Sequence, residues 1–177
     1  MERLIRGLKA RDPRALEEAM ERFKHPVCNY VNMVLHNRAA AEDITQETFI
    51  KVYFKAHTLR SNNLKAWIFT IATNLALAQL RKRKLRRLLH LAALSQAETA
   101  APPGLNGPIL FEQLMALLPD KYRLPLLLKD LYAFSYEEIS AMLNKPEGTV
   151  KSLVHRAKKL LKQGAQPRFA LKELYYA

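Results

Sequence analysis

The sequence predicts an all-α protein of two small helical domains joined by a flexible linker, and three observations carry that expectation. Apolar residues recur at spacings of three and four in both halves, and nothing resembles a run of alternating strands. The stretch LAALSQAETAAPPGLNGP holds three of the nine prolines and two of the five glycines. Pro102, Pro103 and Pro108 forbid a continuous helix there, and Gly104 and Gly107 loosen the chain. Charge, finally, falls in blocks that this stretch separates. A length of 177 residues, 49% of them hydrophobic, is enough to bury two modest cores.

Lys and Arg number 29 against 16 acids, a net charge of +13. Residues 1–50 are balanced, with eight basic and eight acidic side chains, whereas residues 51–90 hold ten basic side chains and no acid. Residues 91–110 carry only Glu98, and from Lys151 to Lys162 five basic side chains again stand without an acid. An ordinary solvated surface mixes the signs; phosphate binding needs one sign gathered on a face. The single cysteine, Cys28, excludes a disulfide framework and suits a reducing compartment. The start, MERLIRGLKARDPR, has no apolar signal core, and no stretch reaches the roughly 20 apolar residues of a membrane span. A cytoplasmic protein without stable membrane insertion is expected.

Asp12-Pro13 marks a helix start, an acidic cap followed by proline at the first helical position. That helix is expected to break or kink at Pro26 and resume to about His36. A second covers about Ala41 to Ala56, with Thr45, Phe49, Val52 and Ala56 on one stripe. After the loop HTLRSNN, Leu64, Ile68, Ile71, Leu75 and Ala78 repeat the spacing down a third helix that ends in the basic run. In the second half Phe111 to Leu118 reads as a short helix stopped before Pro119. Another runs from about Lys121 to Leu131, with Pro125 an irregularity inside it.

The segment FSYEEISAMLNKPEGTVKSLVHRAKKLL is the most informative. Ser135 and Glu138 form a capping box. Ile139, Met142 and Leu143 give a short apolar face, Asn144 tolerates the left-handed conformation that ends a helix, and Pro146 cannot continue it. A new helix from about Glu147 buries Val150, Val154, Ala157 and Leu161 and turns Lys151, Ser152, His155, Arg156 and Lys159 outward. Two helices, a tight turn and a basic second helix make a helix-turn-helix, whose second helix enters the major groove.

These residues are similar to a known family. AAAEDITQETFIKVYFKAHTLRSNNLKAWIFTIATNLALAQLRKRKLRR resembles region 2, and LPDKYRLPLLLKDLYAFSYEEISAMLNKPEGTVKSLVHRAKKLL region 4, of the extracytoplasmic-function (ECF) group of bacterial sigma-70 factors. The likeness covers about residues 10–165 in the right order, without the longer middle domain of housekeeping sigma factors. It implies residues 1–90 as region 2, 91–110 as linker, 111–165 as the region 4 helix-turn-helix and 166–177 as a tail. It implies that region 2 binds core RNA polymerase and melts the −10 element, that region 4 reads the duplex −35 element, and that an anti-sigma factor restrains the protein.

Residue chemistry stands beside these roles. Asp43, Gln46, Glu47 and Ile50 lie off the apolar stripe, an acidic and amide patch that suits a basic protein partner or, more simply, the positive end of its own helix. Trp67, Thr70, Asn74, Leu77 and Arg81 form a ridge, and an indole and an amide near a basic loop can hold an unpaired base. Trp67 is different, because a lone Trp on an apolar helix is more often core. Arg60, Ser61, Asn62, Asn63 and Lys65 resemble the family's base-capturing loop, and Asn74 falls where the family has a −10-contacting asparagine. Arg81, Lys82, Arg83 and Lys84 open a run to Arg87 that suits phosphates, which position without specifying. Asn144 replaces the family's usual turn glycine, Lys145 its apolar turn residue and Leu153 a usual basic residue, which obscures the −35 sequence read.

Three other functions compete. A stand-alone regulator needs no acid-free surface over 51–90. A nucleic-acid enzyme lacks support, because the five histidines show no ligand spacing, the acids form no metal cluster and no Gly-rich phosphate loop exists. No cofactor, metal or catalysis is therefore expected. A membrane-surface protein would use the basic helix around 81–90 with LLHLAAL on anionic lipid. The tail QPRFALKELYYA has the composition of either a docking helix or a frayed end.

Overall fold

Side-chain caps set four of the helix starts among the described residues. In the computed structural model, which describes residues 1–60, 62–93 and 111–164, Asp12 accepts a hydrogen bond from the Arg14 amide at 2.9 Å and starts helix α2, Pro13–Leu35. Asn37 caps α3, Arg38–Lys55, by accepting from the Ala40 amide at 2.9 Å. Ser135 opens α7, Tyr136–Leu143, through the expected capping box: its hydroxyl accepts from the Glu138 amide at 3.1 Å, and the Glu138 carboxylate accepts from the Ser135 amide at 2.7 Å. The other helices are α1 (Glu2–Lys9), α4 (Leu64–Ala93), α5 (Phe111–Ala116), α6 (Asp120–Leu126) and α8 (Glu147–Gly164). A 3₁₀ turn spans Ala56–Thr58, a π-helical turn spans Leu127–Leu131, and the described residues contain no strand.

The chain divides into two compact units, Met1–Ala97 and Glu98–Ala177. In the first, α2 packs against α1, α3 and α4. Its centre is Tyr30, fully buried, whose hydroxyl shares a 2.9 Å hydrogen bond with Thr73 and whose ring lies 5.4 Å from that of Phe69. Thr45, Phe49, Val52 and Ala56 are buried as the stripe predicts.

Several expectations need correction. Of the break or kink expected at Pro26, the break does not occur, and α2 runs on to Leu35. A proline inside a helix costs about 3 kcal/mol, but Ala19 and Phe23 before it and Val27, Tyr30, Val31 and Val34 after it are buried on one core. Burying a large apolar side chain is worth about 1.5–3 kcal/mol, so the core outweighs the interruption. The face of α4 is also rotated from the expected one. Leu64 and Ile68 are buried, yet the burial continues through Phe69, Ala72, Thr73 and Ala76, leaving Ile71 and Leu75 half-buried and Ala78 exposed. The Tyr30 hydroxyl, which needs a buried partner, draws the Thr73 side inward. Helix α4 also runs through the basic run to Ala93, three residues into the expected linker. Helix α1 was not expected at all: Leu4, Ile5 and Leu8 are buried, and Gly7 lies so close to α2 that an added Cβ would stand 2.7 Å from that of Ala15.

In the second unit α8 packs on α6 and α7. Pro125 is buried inside α6, and the chain passes from there into the wider turn, where the Tyr132 amide donates to the Leu127 carbonyl at 3.1 Å. Arg123, 6% exposed, donates from Nε to the Met115 carbonyl at 2.7 Å and from Nη2 to the Leu118 carbonyl at 2.5 Å, and pairs with Asp120 at 3.2 Å. It thereby gives a side-chain donor to the Met115 carbonyl in the last turn of α5 and to the Leu118 carbonyl just beyond it. Asn144 ends α7 at φ 49°, ψ 53°, in the left-handed conformation expected of it. Residues 94–110 of the expected linker, the tail over 166–177 and Ser61 lie outside the described residues.

Candidate nucleic-acid and protein interfaces

The outer face of α3 carries the first site. Asp43, Gln46, Glu47 and Ile50 are all exposed, Ile50 to 57%. Phe54, which sequence reasoning passed over, is 56% exposed. At 3.6 residues per turn, Asp43, Glu47, Ile50 and Phe54 fall within an arc of about 60°. The stripe is therefore acidic along its N-terminal half and apolar along its C-terminal half. Glu47 pairs with Lys51 at 3.0 Å. Phe54 rests edge-on against Tyr53, with centroids 5.3 Å apart, and the Tyr53 hydroxyl donates to the Arg11 carbonyl at 3.2 Å. The spacing of four from Ile50 to Phe54 was the available signal.

The second site is the start and outer side of α4. Arg60, Asn62 and Asn63 are exposed, but the Asn63 side-chain oxygen accepts from the Ala66 amide at 3.0 Å and so caps α4. Lys65 is half-buried. Trp67 is half-buried too, neither core nor free, while Asn74 and Arg81 are exposed. Trp67, Asn74 and Arg81 lie within an arc of about 40°, with half-buried Thr70 and Leu77 beside them. The Thr70 hydroxyl is occupied, donating to the Ala66 carbonyl at 2.7 Å. Beyond them Lys82, Arg83 and Lys84 are exposed, and Arg83 donates to the Leu35 carbonyl at 3.3 Å, tying the basic run to the end of α2.

The third site is α8. Val150, Val154, Ala157 and Leu161 are buried, and Lys151, Ser152, His155, Arg156 and Lys159 all face solvent. Two of these are already engaged. Lys151 pairs with Glu147 at 2.6 Å, and that hydrogen bond first, then the nearby carboxylate charge, holds its ammonium above the ordinary lysine range. The Ser152 hydroxyl donates to the Gly148 carbonyl at 2.9 Å. On the same helix Lys158 pairs with Asp130 at 2.8 Å. His155, Arg156 and Lys159 stand clear. Gly148 has open space where a side chain would project, so the start of α8 is unobstructed.

A basic recognition-type helix behind a capped turn, in a chain whose other unit is a helical bundle, matches two family models: Sigma-70 region 2 over residues 19–86 and Sigma-70, region 4 over residues 109–161. The chain is 31% identical to the ECF RNA polymerase sigma factor SigW of Bacillus subtilis, over 90% of this chain and 93% of that one. The protein belongs to the ECF sigma factors. This ECF sigma factor is also 27% identical to the ECF sigma-E factor of Salmonella typhimurium, covering 93% of each chain. Among solved structures it is similar to the sigma factor RpoE of Bartonella quintana in complex with the anti-sigma factor NepR, with TM-score 0.68, 26% identity, and 85% of this chain covering 98% of that one. The fold is shared with CnrH, solved with the cytosolic domain of CnrY, at TM-score 0.68 and 19% identity over 93% and 97% of the two chains. As an ECF sigma factor the protein is a transcription initiation factor that works with RNA polymerase at promoters. No helix among the described residues is long and apolar enough to cross a membrane.

Proposed function

We propose a division of labour among the three sites. Residues 1–90 act as region 2, 111–165 as region 4 and 91–110 as the linker between them. Asp43, Gln46, Glu47 and Ile50, extended by Phe54, dock on a basic, partly apolar surface of core RNA polymerase. The acids steer and the apolar pair is buried on contact. In region 4, Arg156 and His155 read base edges of the −35 duplex, and Lys159 holds phosphate. Lys151 joins them by exchanging Glu147 for DNA.

Unstacking a base costs a few kcal/mol, which a melting protein offsets by holding the extruded base. Arg60, Asn62 and Asn74 supply polar groups for that base at the −10 element, half-buried Trp67 lies beside them, and Arg81, Lys82 and Lys84 hold the flanking backbone. Asn63 acts through the α4 cap. No catalytic step belongs to this chain, which works in the cytoplasm with a polymerase that supplies the chemistry. The Bartonella relative is held by an anti-sigma factor; by that likeness an anti-sigma factor restrains this protein too.

The observation that carries this reading is the opposite character of two exposed helix faces, acidic-apolar on α3 and basic on α8. Run-off transcription with core polymerase over a random promoter library tests it. Specific transcripts that depend on this chain are expected, and their absence from every promoter would refute the reading.

A further inference from the structure

The C-terminal half of α4 carries three exposed leucines that the three sites do not use, beside cations that it shares with the −10 site. Leu85, Leu88 and Leu89 are 58%, 55% and 63% exposed, an unusual outlay of large aliphatic surface on one short stretch. They fall within an arc of about 100°. That arc points away from the bundle, whose side of α4 is marked by buried Ala72 and Ala76 and by Arg83 bonding to the Leu35 carbonyl. No described part of its own unit therefore covers the stripe. Lys82 and Arg86 flank it on one side and Lys84 on the other, with Arg81 at its upstream end, all exposed. No ion pair among the described residues involves any of these four cations.

We propose that this stretch of α4 binds the surface of an anionic lipid bilayer, lying flat with Leu85, Leu88 and Leu89 at the acyl boundary. A helix with leucines on one face and Lys or Arg on both flanks has the composition of an interfacial segment. Charge complementarity selects the occupant. Duplex DNA would satisfy the cations and leave three leucines in water, and a neutral apolar surface would do the reverse. Anionic headgroups over an acyl layer satisfy both, and the long basic side chains reach the headgroups while their stems lie along the leucines. Three leucines on so short a stretch make the association peripheral and reversible, with no span involved.

Flotation of the full chain with vesicles tests this without polymerase or DNA, so its outcome is independent of the transcriptional reading. The chain is expected to float with phosphatidylglycerol–phosphatidylcholine vesicles, to remain behind with pure phosphatidylcholine, and to be released as salt rises. The double variant Leu88→Gln/Leu89→Gln changes only exposed side chains, and circular dichroism will verify its fold; its partition should fall at least tenfold. Lys82→Gln/Arg86→Gln should also lower partition to anionic vesicles. Absence of flotation overturns the proposal, and so does unchanged flotation of the leucine variant, which would reduce the effect to charge adhesion. If vesicles fail while an acidic amphipathic Glu/Leu helical peptide binds with the same leucine dependence, the stripe belongs to a protein helix and the lipid proposal is wrong.

Discussion

Helices α3 and α8 are each 18 residues long, and each buries one face in its own unit while exposing the other. Their outer faces differ in two ways. That of α3 is acidic and ends in exposed Ile50 and Phe54, whereas that of α8 is basic and polar over Lys151, Ser152, His155, Arg156 and Lys159. Sign distinguishes a basic protein partner from a phosphate polymer, but the apolar pair is the more telling difference. Protein interfaces draw most of their energy from a few buried side chains at the centre. Groove recognition draws on hydrogen bonds and charge, so an exposed phenylalanine is useful on α3 and would be idle on α8. The inner stripe supports the fold, and the outer face is left free to choose the partner.

The most disruptive way to separate the two is to unfold one unit. Arg123→Met removes a buried guanidinium that serves the end of α5, and breaking such a buried network costs about 3–5 kcal/mol. Hydrogen exchange should show protection lost in the second unit, with duplex −35 binding lost as well and the Met1–Ala97 unit retained. On α3, Glu47→Lys and Phe54→Ala should each weaken binding to core polymerase by about 2 kcal/mol, with an unchanged circular dichroism melt. Normal affinity in both would reduce the patch to acids at a helix start. Asn74→Ala lies outside both faces, so it should leave polymerase and duplex −35 affinity alone and lower permanganate reactivity of unpaired thymines at the −10 element. Arg156→Ala should cost about 1–3 kcal/mol at one position of the −35 element, whereas a uniform loss over all promoter variants would make it a phosphate contact. The smallest effect is expected for Glu147→Gln. It frees Lys151 from an exposed ion pair worth under about 1 kcal/mol, and should tighten duplex binding a few-fold in a titration.

The helix-turn-helix was legible because each of its steps has a local cause. The capping box, the left-handed Asn144, Pro146 and the α8 spacing all act within a few residues of one another. What the sequence hid depends on partners far along the chain. The rotation of α4 follows from Tyr30 meeting Thr73, 43 residues away. Pro26 looked like a break because its cost is local while its compensation is spread over a core. Helix α1 is short and dense in charge, so Leu4, Ile5 and Leu8 do not read as a face until α2 is there to receive them. At the sites, exposure of the α3 and α8 candidates was readable from period alone, but the use of each polar group was not. Asn63 is committed to the α4 cap, Ser152 to the Gly148 carbonyl and Lys151 to Glu147. Arg123, inside the LPDKYR string, carries no local signal of its burial, because the carbonyls it serves are set by how α5 ends.

The ion pairs on α8 also bear on its thermodynamics with a polyanion. Each free cation that meets a DNA phosphate releases condensed counterions, and the logarithm of affinity falls by about 0.9 per phosphate for each unit of log salt. Helix α8 has five cations from Lys151 to Lys162, but Lys151 and Lys158 are already neutralised by Glu147 and Asp130. To engage DNA they must first give up a carboxylate, which then gathers its own cation from solution and cancels part of the entropy gained. The share of the salt exponent due to α8 should therefore be that of at most about three phosphates rather than five, and the shortfall measures how much of its positive charge is held in internal exchange.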